Sequence, residues 1–392
     1  MGIVPNRGGA SDYDPDMKAA KAAGIDAFAL NIGTDDYTVD QLNYAYESAA
    51  NNDMKVFISF DFHWFSTGDA GKVGELIKTF GSKPGQLMVD NKVFVSSFVG
   101  DGLDVAAVRQ AAGTEIYFAP NFRPDSDASA IDGALNWQAW DSDGANRAPK
   151  PGQNVTVSQG DATYTEWLGA EKGYIAPVSP WFFTHYGNEV SYPKNWVFPG
   201  DLLWYTRWNE ILELSPPFVE ILTWNDYGES HYIGPLASKH TDDGNSKWVN
   251  DMPHNGWLDM AKPFIVAYKA GEKSPAVSED RLVYWYRPIP KSLECDKDNT
   301  GARPDGSDTL EDAVFVVALL KEDGKVTASS GKNSQSFNAP AGISAWKVEM
   351  GTGKQTFSLE RGGQDVMSET SLRDVSDTCP CGCKSCIDGA VL

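Results

Sequence analysis

Cysteine is scarce in this 392-residue sequence: there are five, and four of them, Cys379, Cys381, Cys383 and Cys386, fall in the last 14 positions. So few cannot knit a disulfide scaffold, and a packed apolar core has to hold the fold. No run approaches the ~18 consecutive apolar residues that span a bilayer. Basic clusters are missing too, since 33 Lys and Arg stand against 54 Asp and Glu for a net charge of −21. An acidic surface repels phosphate backbones and anionic headgroups, which removes nucleic acids and membrane surfaces from the expected partners. Nothing in the first strand-to-helix turn resembles a GxGxxG phosphate loop, no GxSxG elbow appears, and no HExxH or HxH pair occurs. The chemistry is therefore read without a dinucleotide, a nucleophilic serine, a metal or any other cofactor. The opening Met1-Gly2-Ile3-Val4-Pro5-Asn6 has neither a charged leader nor an apolar core of a secretion signal, although one sequon, Asn154-Val155-Thr156, would suit a secreted glycoprotein.

What the sequence does have is rhythm. Short β-branched and aromatic runs recur along it: Ile25 to Ile32, Lys55 to Asp61, Val93 to Gly100, Glu115 to Phe122, Leu135 to Trp140, Tyr174 to Phe183 and Phe218 to Asn225. Helix signals separate the early ones. Asp14-Pro15 reads as an N-cap with a first-turn proline ahead of an alanine-rich stretch that ends at Gly24. Thr38 with Gln41 reads as a capping box that puts Val39, Leu42, Tyr46 and Ala49 on one face. Strand and helix in alternation predict parallel strands with covering helices, and seven such strands predict an α/β fold of the (β/α)8 TIM-barrel type over residues 1–280. The first strand of that barrel is missing from the count. Residues 1–4 are too few to make it, so the sequence is read as starting at or just after its end.

From residue 281 the texture changes to short runs, Arg281 to Tyr286, Ala313 to Leu320, Lys325 to Ser329, Ala345 to Met350 and Gln355 to Leu359, separated by glycine-rich turns. They predict a small all-β sandwich over residues 281–382, which holds one of the 13 tryptophans, Trp346. Residues 383–392 are left as an aberrant cysteine-containing tail, and the cysteine cluster reads as one or two disulfides with Cys295 as a candidate partner.

Barrels of this type keep their chemistry at the C-terminal ends of the strands. The sharpest signal there is Trp224-Asn225-Asp226-Tyr227-Gly228-Glu229-Ser230-His231-Tyr232, in which Asp226 and Glu229 lie three residues apart across a Tyr-Gly turn. An isolated pair with this spacing is more often an acidic loop that caps a helix. Here a strand end, aromatic neighbours and a further acid at Asp61 favour glycoside hydrolysis, in which one acid protonates the departing oxygen and a second carboxylate activates water or attacks carbon. His63, His185 and His231 all follow barrel strands, but their spacing matches no metal-binding pattern.

The runs Lys21 to Gly33, Val56 to Asp61, Pro180-Trp181-Phe182-Phe183-Thr184-His185 and Thr223 to Tyr232 closely resemble glycoside hydrolase family 71, the fungal endo-α-1,3-glucanases or mutanases. The resemblance implies a βα barrel with an appended β-sandwich, secretion, no metal cofactor, and hydrolysis of α-1,3-glucan with inversion at the anomeric carbon. It also implies that Asp226 and Glu229 are the catalytic pair and Asp61 a third required carboxylate. Glu229 is taken as the acid and Asp226 as the base, an order that could be exchanged. Trp64, Trp140, Trp181, Trp224 and Tyr227 are expected to stack on sugars, about half of the tryptophans filling the core instead, while His63, Asp101, Asn121, Asn225 and His231 supply hydrogen bonds. The sequence departs from the family pattern at both ends, ahead of Val4 and after Gly382. The expected protein is an extracellular monomer whose partner is the polysaccharide. Two other readings remain: a glucan-binding protein without turnover, and a barrel hydrolase on another glycosidic linkage.

Overall fold

The computed structural model describes residues 1–188, 190–236, 247–294, 300, 303–379 and 390–391. β1 (Ala27–Ile32) pairs in parallel with β2 (Lys55–Asp61), and a two-residue strand, β3 (Met88–Val89), turns back on β4 (Lys92–Phe98). β4 lies parallel to β2 on one side and to β5 (Ile116–Phe118) on the other. A second parallel block runs β6 (Gly133–Leu135), β7 (Gly173–Val178) and β10 (Phe218–Ile221), with the antiparallel hairpin of β8 (Phe182–Tyr186) and β9 (Lys194–Phe198) inserted before the last strand. Backbone bonds from Asp132 N to Phe118 O and from Leu135 N to Pro120 O join the two blocks.

The run read as one strand from Tyr174 to Phe183 is therefore two. Pro180 has no N–H to give a ladder, and the chain leaves β7 at Val178 before β8 begins at Phe182. Between β10 and β1 lies a mainly apolar slot of about 440 Å³ lined by Phe28, Phe94, Phe218 and Ile265 among others. Met1 to Ile3 lie along the β1 side of the strand ends, where Asn31 N donates to Met1 O and Ile3 N to Asn31 O.

The covering helices are α1 (Asp14–Ala22), α2 (Thr38–Asn51), α3 (Ala70–Phe80), α4 (Val105–Ala112), α5 (Val157–Leu168), α6 (Leu203–Leu214) and α7 (Asn255–Ala270). On α2 the expected apolar face buries Leu42, Tyr46 and Ala49 but leaves Val39 exposed. The expected capping box at Thr38 does not form. Tyr37 is the N-cap, and the Gln41 side chain instead accepts from Tyr13 Oη and donates to Arg7 O, both at 2.9 Å, because it is buried between those elements. A capping box does open α5, between Thr156 and Gln159.

From Arg281 onward the chain is antiparallel. β11 (Arg281–Tyr286), β12 (Ala313–Leu320), β13 (Gly324–Ser330), β14 (Asn333–Ala339), β15 (Gly342–Glu349), β16 (Gln355–Arg361), β17 (Gln364–Thr370) and β18 (Ala390–Val391) form two four-stranded sheets, ordered β15-β12-β11-β18 and β14-β13-β16-β17. Val314, Val316, Val326, Phe357 and Leu359 fill the space between them. All eight residues of β12 are buried because the alternate set, Phe315, Val317 and Leu319, faces the core of the parallel-strand unit. That explains why this strand reads as an unbroken apolar run. The last residues, expected as an aberrant tail, return to the sheet, with Val391 opposite Trp285. Cys379 is disulfide-bonded; Cys295, Cys381, Cys383 and Cys386 lie outside the described residues.

Candidate active site

The chain leaving β10 enters a short 3-10 turn, Tyr227–Glu229, capped by Asp226, whose Oδ1 accepts from Glu229 N at 3.1 Å. A single such turn puts residues three apart on one side. One ligating atom each from Asp226, Glu229 and His231 consequently lies within 4.8 Å of the others. The turn packs so tightly on the β8–β9 hairpin that a Cβ on Gly228 would stand 2.5 Å from Tyr186 Oη, so Tyr186 or the turn would have to shift to admit a side chain there. Ser230 takes a left-handed conformation (φ 58°) that redirects the chain, and two indoles brace it. Trp181 Nε1 donates to Ser230 O at 2.8 Å and Trp248 Nε1 to Ser230 Oγ at 3.2 Å.

The two acids stand in different fields. Both oxygens of Glu229 are engaged, Oε1 by Lys194 Nζ at 2.6 Å and Oε2 by His231 Nε2 at 3.0 Å. Burial pushes the Glu229 carboxyl up, but the His231 hydrogen bond and the Lys194 ammonium outweigh it and hold it down at about 2. Asp226 is raised instead, first by burial and then by the negative charge of Glu229. Lys194 loses some of its charge preference to burial, yet Glu229 and Asp226 together leave its pKa raised. Thr223 Oγ1 links the set, accepting from Asp226 N at 3.1 Å and lying 2.9 Å from His231 Nδ1. If the hydroxyl donates to Nδ1, the hydrogen on the other ring nitrogen faces Glu229. Asp226, Glu229 and His231 have the spacing of a cation site, but the fixed ammonium of Lys194 already answers the charge on Glu229, and we assign no metal to them.

Asp61 closes β2, accepting from His63 N at 2.9 Å. Burial raises its pKa, and among the smaller influences on it are the charges of Lys194 and Glu229. Beside it the surface opens. Trp64 is 63% exposed and lies against Gly33, while the exposed His63 ring sits edge-on to Phe98 at 5.1 Å and Phe98 in turn to Trp137 at 4.6 Å.

The other expected contacts are corrected by burial. Trp140 is stacked on Phe198 and backs the His231 ring at 5.5 Å; Trp181 braces Ser230; Trp224 donates to Asp16 Oδ1 at 2.9 Å against Phe28; and Tyr227 packs on Tyr232. All four are at least 95% buried and present no open face to a sugar, as large aromatics near strand ends gain most by filling the core. Asn225 grips the Gly2 backbone through both amide atoms. Asn121 ties the ends of β4, β5 and β6 through Val99 N and Leu135 O. Asp101 accepts from Arg123 N and Ser126 Oγ. His231 is buried as well, but against Glu229 itself. Sequence reasoning missed Lys194, Thr223, Phe98 and Trp137. The last two fall within or beside strand-like runs and could have been found by asking which strand-end aromatic stays outside. Lys194 opens a hairpin strand, and no local motif connects it to Glu229.

The family model for glycosyl hydrolase family 71 matches residues 1–386. A mutanase of Penicillium rubens is 44% identical over 375 residues, 94% of this chain and 82% of that protein. A glucan endo-1,3-alpha-glucosidase of Schizosaccharomyces pombe is 38% identical over 92% of this chain and 86% of its own length. Among solved structures, the GH99 endo-alpha-mannosidase of Bacteroides thetaiotaomicron aligns with a TM-score of 0.49 at 14% identity, covering 67% of this chain and 80% of that one. The match along nearly the whole sequence makes this chain a member of glycosyl hydrolase family 71.

Proposed function

We propose that the chain is an endo-α-1,3-glucanase that cuts α-1,3-glucan outside the cell. The observation that carries the reading is the braced turn holding Asp226 and Glu229 side by side with their pKa values pushed in opposite directions, with a third acid, Asp61, in electrostatic reach, in a family whose named relatives include a mutanase and a glucan endo-1,3-alpha-glucosidase. The scaffold is read as a (β/α)8-type barrel with a β-sandwich at its side, acting as a monomer. An exposed Asn154 in the sequon and the disulfide at Cys379 support an oxidising, extracellular setting. Among the described residues no helix is long and apolar enough to cross a membrane.

In the inverting course, one carboxyl gives its proton to the departing glycosidic oxygen as the C1–O bond breaks. Water attacks C1 from the opposite face and passes its proton to a second carboxylate, about 6.5–9.5 Å from the first. One oxygen of Asp226 lies within 4.8 Å of one of Glu229, and Glu229 has both of its oxygens held by Lys194 and His231. The proton donor is therefore assigned to Asp226, raised by its surroundings, and the water to Asp61 at the end of β2. Glu229, with both oxygens held, stays ionised and steadies the positive charge that develops at C1. This takes the acid's role from Glu229 and the base's role from Asp226.

Proton NMR of the first product from α-1,3-gluco-oligosaccharides tests the reading. The β-anomer should appear first. The α-anomer first would overturn inversion, and cleavage of α-1,4-glucan in place of α-1,3-glucan would overturn the linkage.

A further inference from the structure

We infer that Lys194 is a positioning residue for this reaction: its ammonium fixes Glu229 as the ionised acid of the turn and so leaves the transferable proton on Asp226. The inference rests on the glucanase reading for its meaning, but its geometry stands apart from it. Lys194 belongs to neither the turn nor a parallel strand; it opens β9, and the hairpin carries it across to Glu229 Oε1 at 2.6 Å. Its side chain is 35% exposed and that of Glu229 only 12%, so the ion pair is shielded from water on the acid's side. Screening is weak there and a single charge is felt strongly. The hairpin's position is in turn fixed by Gly228, which admits Tyr186 against the turn.

Among the described residues the charged and titratable groups around Glu229 include Asp226 on its own turn, His231 on the following segment, Lys194 from the hairpin with Tyr192 acting on it, Tyr186 against Gly228, and Asp61 at the end of β2 with His63 beside it. Asp226 and Asp61 would each push a proton toward Glu229. His231 occupies only one oxygen, and Lys194 supplies the fixed charge on the other. Lys194 transfers no proton; it decides which acid holds one.

The test is a 13C-carboxyl NMR titration of glutamate-labelled protein, with the Glu229 signal assigned by its loss in Glu229→Gln, in the parent, Lys194→Met and Lys194→Arg. In the parent Glu229 should remain ionised down to about pH 2. In Lys194→Met its midpoint should rise by roughly one to three pH units, and Lys194→Arg should restore it. Lys194→Gln serves in place of the methionine variant if that one does not fold, as judged by thermal melting. On α-1,3-glucan the neutral variant should lose kcat with little change in KM, and the acid limb of its pH profile should move upward. An unmoved Glu229 midpoint in the folded neutral variants overturns the inference. A parent that titrates as described but leaves α-1,3-glucan uncut overturns the glucanase reading and leaves the Lys194 contact standing.

Discussion

The segment from Thr223 to Tyr232 and the segment from Asp61 to Trp64 both lie at the ends of parallel strands, yet they are built in opposite ways. In the first, Asp226 caps a turn, Gly228 presses on a tyrosine, Ser230 is held by two indoles and His231 is locked between Thr223 and Glu229. The second shows one acid anchored by a local backbone bond and, two residues on, His63 and Trp64 turned out to solvent. Groups that move protons need fixed distances and fixed charge, and buried partners from several elements supply both. A surface that meets a polymer needs access, which burial would remove. The tryptophans expected to line the site divide along this boundary: Trp181 braces the turn and Trp140 backs the His231 ring, while Trp64 lies open to solvent.

Substitutions should separate the two segments by the size of their effects. Asp226→Asn removes the proposed proton donor and should lower kcat on α-1,3-glucan by roughly 10²–10⁴ with the fold intact by circular dichroism. Gly228→Ala comes next: the added methyl group meets Tyr186, so the turn and hairpin must part, and kcat should fall by about tenfold or more together with the melting temperature. Trp181→Phe leaves Ser230 O without its indole donor, which should cost about 1–3 kcal/mol in a denaturant titration. Trp64→Ala should change only substrate binding, raising KM by a few fold with kcat held, since an exposed ring contact is worth about 0.5–1.5 kcal/mol.

The pH response follows from the same asymmetry. Glu229 is held below its ordinary value of 4.5, so it contributes stability that is present above 4.5 and is lost as pH falls toward about 2. Melting curves between pH 5 and pH 2 should therefore show the parent losing more stability than Glu229→Gln. Asp226 is raised above 3.8, and with Asp226 as the proposed proton donor kcat/KM should decline as pH climbs through that raised value.

How much of this was legible in the sequence depends on the range of the interaction. Seven parallel strands and five strands of the antiparallel second unit follow from local periodicity, readable even where their ends were not, as at Pro180, whereas the polar strands β14 and β17 and the short β18 carry no such signal. That Asp226 and Glu229 follow the end of β10 and Asp61 closes β2 was readable because strand ends and a three-residue spacing are local features. The capping box at Thr38 was a local signal overruled at long range, since Gln41 found Tyr13 and Arg7 in another part of the chain. Lys194 and the two indoles on Ser230 act across 18 to 49 residues of sequence, so nothing in their neighbourhood marks them. Burial, which makes Trp140, Trp224 and Tyr227 core residues, depends on packing of all the elements together.

The most direct test of the central claim is release of reducing sugar from insoluble α-1,3-glucan by the parent, Asp226→Asn, Glu229→Gln and Trp64→Ala side by side. The account predicts strong release by the parent, loss of two or more orders of magnitude in both acid variants at saturating substrate, and near-parental release by Trp64→Ala under the same conditions. Parent-like release by either acid variant would contradict it.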